Sequence, residues 1–176
     1  ERDRRDPPGP ASPLVVVARE EIEAAGANEI GELIEDLTIN SGSLNNPDQF
    51  TQNLTVGTTN INLRGLGVAS TLVLWNGARQ TPSAMATDRG ENFVDTSSLP
   101  PLIALDRVEI LKDGAAALYG SEAVAGVVNF LTRSSFDGVE VSLGYQDIPG
   151  HEQRDIELGV LYGVGNDRTH LLAAFS

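Results

Sequence analysis

The spacing of apolar residues changes along the chain, and each spacing predicts a different element. Leu14–Ala18 is a continuous apolar run of strand length. Ile30, Leu33, Ile34 and Leu37 recur at i, i+3, i+4 and i+7, one stripe of a helix, with Asn28 placed to cap its first turn. A shorter helical piece over Glu20–Ala25 precedes it and stops at Gly26, a residue suited to the left-handed turn that ends helices. Asn60–Arg64 alternates, which predicts a strand with Ile61 and Leu63 on one face. Thr71–Trp75 and Ala78–Thr81 flank Asn76-Gly77, a pair that supplies the positive φ angles of a tight hairpin. Pro100-Pro101 opens a helical turn at Leu102–Leu105. Val108–Leu111 and Gly126–Thr132 read as apolar strands around a short helix near Ala115–Tyr119, and Asn40–Gly57 and Pro82–Ser98 as irregular polar loops.

After Arg133 the period becomes two. Val139, Val141, Leu143 and Tyr145 alternate with Glu140, Ser142 and Gly144. Ile156, Leu158, Val160 and Tyr162 alternate with Glu157, Gly159, Leu161 and Gly163, and Thr169–Phe175 repeats the habit. Ile148-Pro149-Gly150 and Gly165-Asn166-Asp167 supply the turns between them. Each segment is near the ~9–11 residues of a tilted membrane strand. An ordinary soluble meander has the same period, so periodicity leaves both open.

Charge narrows the function. Twelve Lys and Arg stand against 25 Asp and Glu, a net charge of −13. Phosphate backbones and anionic membrane surfaces both attract basic faces, so no nucleic acid partner is expected. No cysteine is present, which removes disulfides and thiolate metal sites. No apolar run approaches the ~18–20 residues of a membrane helix. Glu1–Pro13 alternates charge and then turns Pro-rich, a flexible linker composition. Glu1 is not an initiating residue, so the chain is expected to be processed or excised.

Candidate chemistry is sparse. His151 and His170 are isolated, with no neighbours at ligand spacing, so no metal is expected. Arg64-Gly65-Leu66-Gly67 and Gly120–Gly126 lack the following Lys-Ser/Thr of a phosphate loop, and Ser121 lacks a nucleophile elbow. No catalytic set and no cofactor are expected, and the chain does not read as an enzyme.

The most specific stretch is Val108–Arg133, VEILKDGAAALYGSEAVAGVVNFLTR. Arg107, Val108, Glu109, Ile110, Leu111, Leu118, Tyr119, Gly120, Ala123, Gly126, Val127, Val128, Asn129 and Thr132 match, ungapped, the C-terminal half of the plug domain of TonB-dependent outer-membrane receptors. The resemblance extends upstream: Pro13–Val17 with Glu21-Ile22 and Gly26, Leu33–Leu37, Asn60–Gly65, and Leu72–Gly77, where Asn76 stands in place of the usual Asp. Lys112-Asp113-Gly114 departs from the usual Arg-Gly-Pro and loses the guanidinium fork. Ala125 replaces the first of two glycines.

The resemblance implies an α+β fold, a small mixed sheet with short helices and loops, followed by the first strands of a transmembrane β-barrel. It implies a linker over 1–13, a plug over 14–135 and truncated barrel strands over 136–176. The implied function is the gate of an outer-membrane active transporter that imports a scarce nutrient such as a ferric siderophore. The gate would sit inside the barrel lumen with a periplasmic N-terminus. Implied partners are TonB, through a box upstream of Glu1, the receptor's own barrel and a small-molecule nutrient. Arg79, Gln80 and Met85 would be ligand contacts on the apical loops Gly65–Ser70 and Ala78–Phe93, and Arg64, at the corner leading into the first of them, would be either a ligand contact or a structural residue. Arg107, Glu109 and Lys112 would be electrostatic contacts between plug and wall. A soluble periplasmic interaction or signalling module, and a small nucleotide-binding enzyme, are the alternatives from other classes.

Overall fold

A computed structural model of the chain describes residues 14–37, 39–41, 55–112, 115–147, 154–166 and 169–176. The Glu1–Pro13 linker, most of the Asn40–Gly57 loop, the Ile148-Pro149-Gly150 turn and His151 lie outside them. The described residues as far as Leu99, together with Asp106–Thr132, form one compact unit; Pro100–Leu105 and the described residues from Arg133 onward form a second.

The first unit is built on five strands. β1 (Leu14–Ala18) leads into α1 (Arg19–Ala25) and α2 (Ile30–Asp36). β2 (Thr71–Trp75) and β3 (Ala78–Arg79) form the hairpin. β4 (Leu105–Leu111, whose first residue is counted with the second unit), α3 (Ala116–Tyr119) and β5 (Gly126–Thr132) follow. The spatial order is β1-β4-β5-β2-β3. β1 runs antiparallel to β4 and β3 antiparallel to β2, whereas β2 and β5 are parallel, so the sheet is mixed. Central β5 is buried from Gly126 to Leu131, as expected of a strand covered on both faces. Leu72, Leu74, Leu111, Ala115, Ala123 and Val127 make one core cluster, with Tyr119 against it.

Local chemistry explains the helix ends. Gly26 ends α1 at φ 68°, and its N–H donates to the Glu23 carbonyl. The predicted Asn28 cap is not formed. Glu29 occupies the cap position, and the Glu32 carboxylate instead reaches back to accept from the Asn28 N–H at 2.7 Å. Of the predicted stripe, Ile30, Leu33 and Ile34 are buried in α2, whereas Leu37 lies just past the helix end and is half-buried.

The strand predicted over Asn60–Arg64 is absent; only Leu63 makes a bridge, to Asn40. Both faces of this segment are covered, so its alternation does not separate core from solvent: Asn60 and Asn62 are buried along with Ile61 and Leu63. The surroundings are polar. Thr55, Thr58, Thr59 and Thr96 are buried, the Thr59 N–H donates to the Asp95 carboxylate at 3.1 Å, and the Thr96 N–H donates to the Thr59 carbonyl at 2.9 Å. The Asp95 carboxylate and the Thr71 hydroxyl, which accepts from the Leu63 N–H at 3.1 Å, satisfy backbone that a sheet would otherwise satisfy. β1, the apolar run predicted as a strand, joins the sheet at its edge against β4, and the segment near 61 adds no strand to it.

The second unit is a three-stranded antiparallel sheet, β6 (Gly138–Asp147), β7 (Arg154–Asn166) and β8 (Thr169–Phe175), in that order. Val139 faces Tyr162, Val141 faces Val160, Leu143 faces Leu158 and Tyr145 faces Ile156. Val160 in turn faces Phe175. One face is therefore continuously apolar, and it is open: Leu143 is 73% exposed, Ile156 72% and Phe175 75%. The other face carries Glu140, Ser142, Gly144, Glu157, Gly159 and Gly163. Its core is Ile103, Ala104 and Leu161, with Phe136, Leu172 and Ala174 packed against them.

Candidate functional site

The first unit gathers its loops at one end of the sheet. β2 and β5 start there, Thr71 beside Gly126, and Leu111 ends β4 against Gly126. The loop 64–70 enters β2 at this end. β3 runs back towards it, with the Gln80 N–H donating to the Val73 carbonyl at 3.1 Å, and leads into the loop 83–92. That loop is closed by the Ser83 N–H to the Phe93 carbonyl at 2.7 Å, the Thr87 N–H to the Glu91 carbonyl at 3.0 Å, and a bridge between Ala86 and Asn92. The two loops meet where Glu91 Oε1 lies 3.1 Å from the position a Cβ on Gly67 would occupy.

Arg64 adopts φ 58°, a left-handed conformation rare for a residue with a side chain. Its geometry is held from several directions. Its N–H donates to the Ile39 carbonyl at 3.0 Å, and Nη2 donates to the carbonyls of Val124 at 3.3 Å and Ala125 at 3.0 Å. Asn62 Oδ1 accepts from the Gly67 N–H at 2.8 Å, and Asn40 Oδ1 accepts from the Asn62 N–H at 3.1 Å. Arg79 reaches the same turn from its other flank: Nη1 pairs with Glu122, and Nη2 donates to the Tyr119 carbonyl at 2.8 Å. The two arginines thus brace the segment 119–125 from both sides.

Gln80 donates through Nε2 to the Ala78 carbonyl at 3.1 Å. Met85 is 42% exposed on the loop 83–92, its N–H donating to Ser83 Oγ. Leu66, between two glycines at positive φ, is 52% exposed. The sequence reading did not single out Leu66, Glu91 or Glu122. A large apolar residue flanked by glycines at a turn was the available signal for Leu66; nothing comparable marks the two glutamates.

Arg107, Glu109 and Lys112 lie on or just after β4. Arg107 Nε donates to Glu109 Oε1 at 2.8 Å and Nη1 to Asp106 at 2.8 Å. The bond to Glu109 raises the Arg107 pKa above its ordinary value, partial burial opposes the shift, and Asp106 adds to it. Glu109 is buried, and its Oε2 accepts no hydrogen bond among the described residues. Lys112 is half-buried.

Among the described residues no His/Asp/Glu group could hold a metal ion. No described helix is long and apolar enough to cross a membrane, which says nothing of crossing by strands.

Residues 8–127 match the family model for the TonB-dependent receptor plug domain. The iron-regulated outer membrane virulence protein of Vibrio cholerae is 31% identical over 127 residues, covering 70% of this chain and 17% of its own length. The vitamin B12 transporter BtuB of Vibrio cholerae is 32% identical over 151 residues, 84% of this chain and 22% of its own. The crystal structure of the unliganded ferric citrate transporter FecA superposes with a TM-score of 0.69 at 24% identity, over 94% of this chain and 25% of that one. The siderophore receptor PirA from Acinetobacter baumannii gives 0.61 at 24% identity, over 88% and 22%. The chain therefore spans about a fifth of the curated relatives' length. A matching family model over most of the chain, the mixed sheet, and the glycine-rich turn into a fully buried β5 together decide the family: this chain belongs to the plug domains of TonB-dependent outer-membrane receptors.

Proposed function

We propose that this chain is the gate, with the first wall strands, of an outer-membrane active transporter for a scarce nutrient. The observation that carries the reading is the three-stranded sheet that follows the plug unit. One of its faces is apolar and open along all three strands, and the other carries small and polar residues except where Leu161 and Leu172 pack with Ile103 and Ala104. A bilayer solvates the first face and a wet lumen the second. A soluble periplasmic module has no use for such a face.

In this reading a nutrient binds from outside to the plug loops 64–70 and 83–92. Leu66 and Met85 contact it, while Arg64 and Arg79 hold the loops in shape. Electrostatic contact with the wall falls to Lys112 and to Glu109 Oε2, because Arg107 is already engaged by Asp106 and by Glu109 Oε1 within β4. TonB engages the periplasmic N-terminal side by adding a strand, so that backbone hydrogen bonds supply the grip, and the energised inner membrane moves the gate. An iron chelate and vitamin B12 are the two ligand classes that the names of the relatives support. No step in this function requires bond chemistry by the chain.

The test is uptake by the full-length receptor in a strain lacking its own receptors. The probes are radiolabelled ferric citrate, ferric enterobactin and cyanocobalamin. Uptake of at least one is expected, and it should vanish in a strain lacking TonB. A receptor found in the soluble periplasmic fraction, with no TonB-dependent uptake of any probe, would overturn the proposal.

A further inference from the structure

The segment Pro100–Leu105 sits in the sequence between two stretches of the plug, yet it packs as part of the second unit. It is a tight turn: the Ala104 N–H donates to the Pro101 carbonyl at 2.9 Å, and Leu102, Ile103, Ala104 and Leu105 are all buried. Its seat is the small-residue face of β7. Glycine is needed there for space. A Cβ on Gly159 would sit 3.6 Å from Ile103 Cδ1 and 3.7 Å from Ile103 Cβ, and would collide with Ser142 Oγ. A Cβ on Gly163 would collide with the Phe136 carbonyl. Leu161 lies between these glycines and is a large apolar residue on an otherwise small and polar stretch. It is fully buried because Ile103 and Ala104 cover it.

A clamp closes the arrangement. The Arg133 N–H donates to the Ala104 carbonyl at 3.0 Å. The Arg133 guanidinium forms a fork with both oxygens of Glu140 on β6, at 2.7 and 3.2 Å, and lies 5.3 Å from the centre of the Phe136 ring. The contact of strap and sheet is dry and apolar, a kind that water cannot replace when it is pulled apart. The hydroxyl-lined seam of Thr59 and Thr96 in the first unit differs in this respect, because water can take over its hydrogen bonds.

We infer that Pro100–Leu105 is a fixed strap: it stays seated on the β7 glycines while the rest of the plug is displaced during transport. The inference rests on the transport reading above. The strap divides the gate into a chain entering at Leu99 and a chain leaving at Asp106, and only those parts are free to be moved.

The chain contains no cysteine, so an introduced pair is unambiguous. Ile103→Cys with Gly159→Cys places two Cβ atoms near the roughly 3.5–4.5 Å of a disulfide, and Ser142→Ala in the same receptor removes the colliding hydroxyl. In the full-length receptor in outer membranes, copper–phenanthroline should close the bridge completely without added nutrient. The oxidised receptor should take up radiolabelled ferric citrate, ferric enterobactin or cyanocobalamin at the rate of its reduced form. Loss of uptake on oxidation, regained with a reductant, would overturn the inference, as would failure of the folded receptor to form the bridge. Absence of uptake in the reduced and unmodified receptors would instead count against the transport reading, while the bridge still reports on the seat. If the triple variant does not accumulate, Ile103→Cys alone serves. Its buried thiol should resist maleimide equally in energised cells and in cells treated with a protonophore. Labelling that appears only in energised cells would show the strap lifting.

Discussion

Replacing Gly126 by alanine tests the tightest point of the plug sheet. Gly126 has φ 139°, and an added Cβ would stand 2.6 Å from the Leu111 carbonyl oxygen and 2.8 Å from Leu63 Cδ1. Two costs follow. Holding a side chain in that backbone region costs roughly 1–3 kcal/mol. The Leu63 methyl belongs to a fully buried side chain, and the Leu111 oxygen is backbone of the adjacent strand, so β4 and β5 must part by several tenths of an ångström. Overpacking of that kind costs about 1–3 kcal/mol. The sum, about 2–6 kcal/mol, is a large share of the roughly 5–15 kcal/mol that holds a domain folded. Ala125→Gly, the reverse change one residue earlier, removes one buried methyl and adds chain freedom, about 1–2 kcal/mol together. Trp75 is the single tryptophan and pairs with Phe130 of β5, so its fluorescence reports on this strand pair during urea unfolding. Gly126→Ala should lower the midpoint more than Ala125→Gly, with unchanged slope. A Gly126→Ala stability within about 0.5 kcal/mol of the parent, or the opposite order, would refute the argument that space and backbone conformation require glycine there.

Four further outcomes can be checked. Arg64→Ala loses the bonds to Val124 and Ala125 and keeps the left-handed backbone, whereas Arg64→Gly relieves it; glycine should be the more stable of the two by about 1 kcal/mol in the same urea assay. Asn76 accepts from the Thr132 N–H at 2.9 Å and donates to its hydroxyl at 2.8 Å. Because the hydroxyl can reverse and donate, Asn76→Asp should fall within about 0.5 kcal/mol of the parent, and Asn76→Ala should lose about 2 kcal/mol. Arg107→Gln leaves Glu109 buried beside a neutral group and should cost roughly 1–3 kcal/mol, part of it recovered by adding Glu109→Gln. The raised Arg107 pKa means that its contribution is fully present below the ordinary arginine value and is lost only as pH rises through the raised one, so the Arg107→Gln deficit should not change between about pH 6 and 9. In the full-length receptor, Leu158→Arg places a charge on the apolar face, worth about 2–4 kcal/mol at mid-bilayer; the yield of heat-modifiable barrel should fall, while His170→Arg on the other face should leave it unchanged.

The fold was legible where one face of an element meets water or a single kind of neighbour. The stripe Ile30, Leu33, Ile34 and the alternation after Arg133 both report a two-sided environment, and both elements form as predicted. The segment 60–63 defeats this logic, because its polar residues are as buried as its apolar ones. Asn62 is satisfied by the Gly67 N–H, and Thr59 by Asp95 and Thr96, partners more than thirty residues away in the second case. No local pattern announces such pairings.

In the loop cluster, residue type alone does not separate a bracing arginine from a ligand contact. Arginine in a glycine-rich loop suggests a ligand contact, and for Arg64 the sequence leaves a structural role equally open. A turn rich in glycine and alanine, however, has few side chains with which to fix its own carbonyls. The segment 119–125 presents the carbonyls of Tyr119, Val124 and Ala125 at a loop where no sheet partner satisfies them, and a guanidinium has enough donors to collect two at once. Long cations arriving from elsewhere are a physical solution to that deficit, and their exposure follows from the turn being at the surface. Leu66 and Met85 stand outward on the same loops beside the charged Asp88 and Arg89; in the proposed function Leu66 and Met85 offer a ligand undirected, adaptable contact. A loop surface on which two arginines are engaged in bracing, and flexible apolar groups stand outward beside Asp88 and Arg89, would accommodate ligands of different outline, provided that the brace keeps the loops from collapsing onto each other. Removing Arg79 should therefore weaken discrimination between ligands before it weakens folding, since its partner Glu122 is exposed and an exposed pair contributes little to stability.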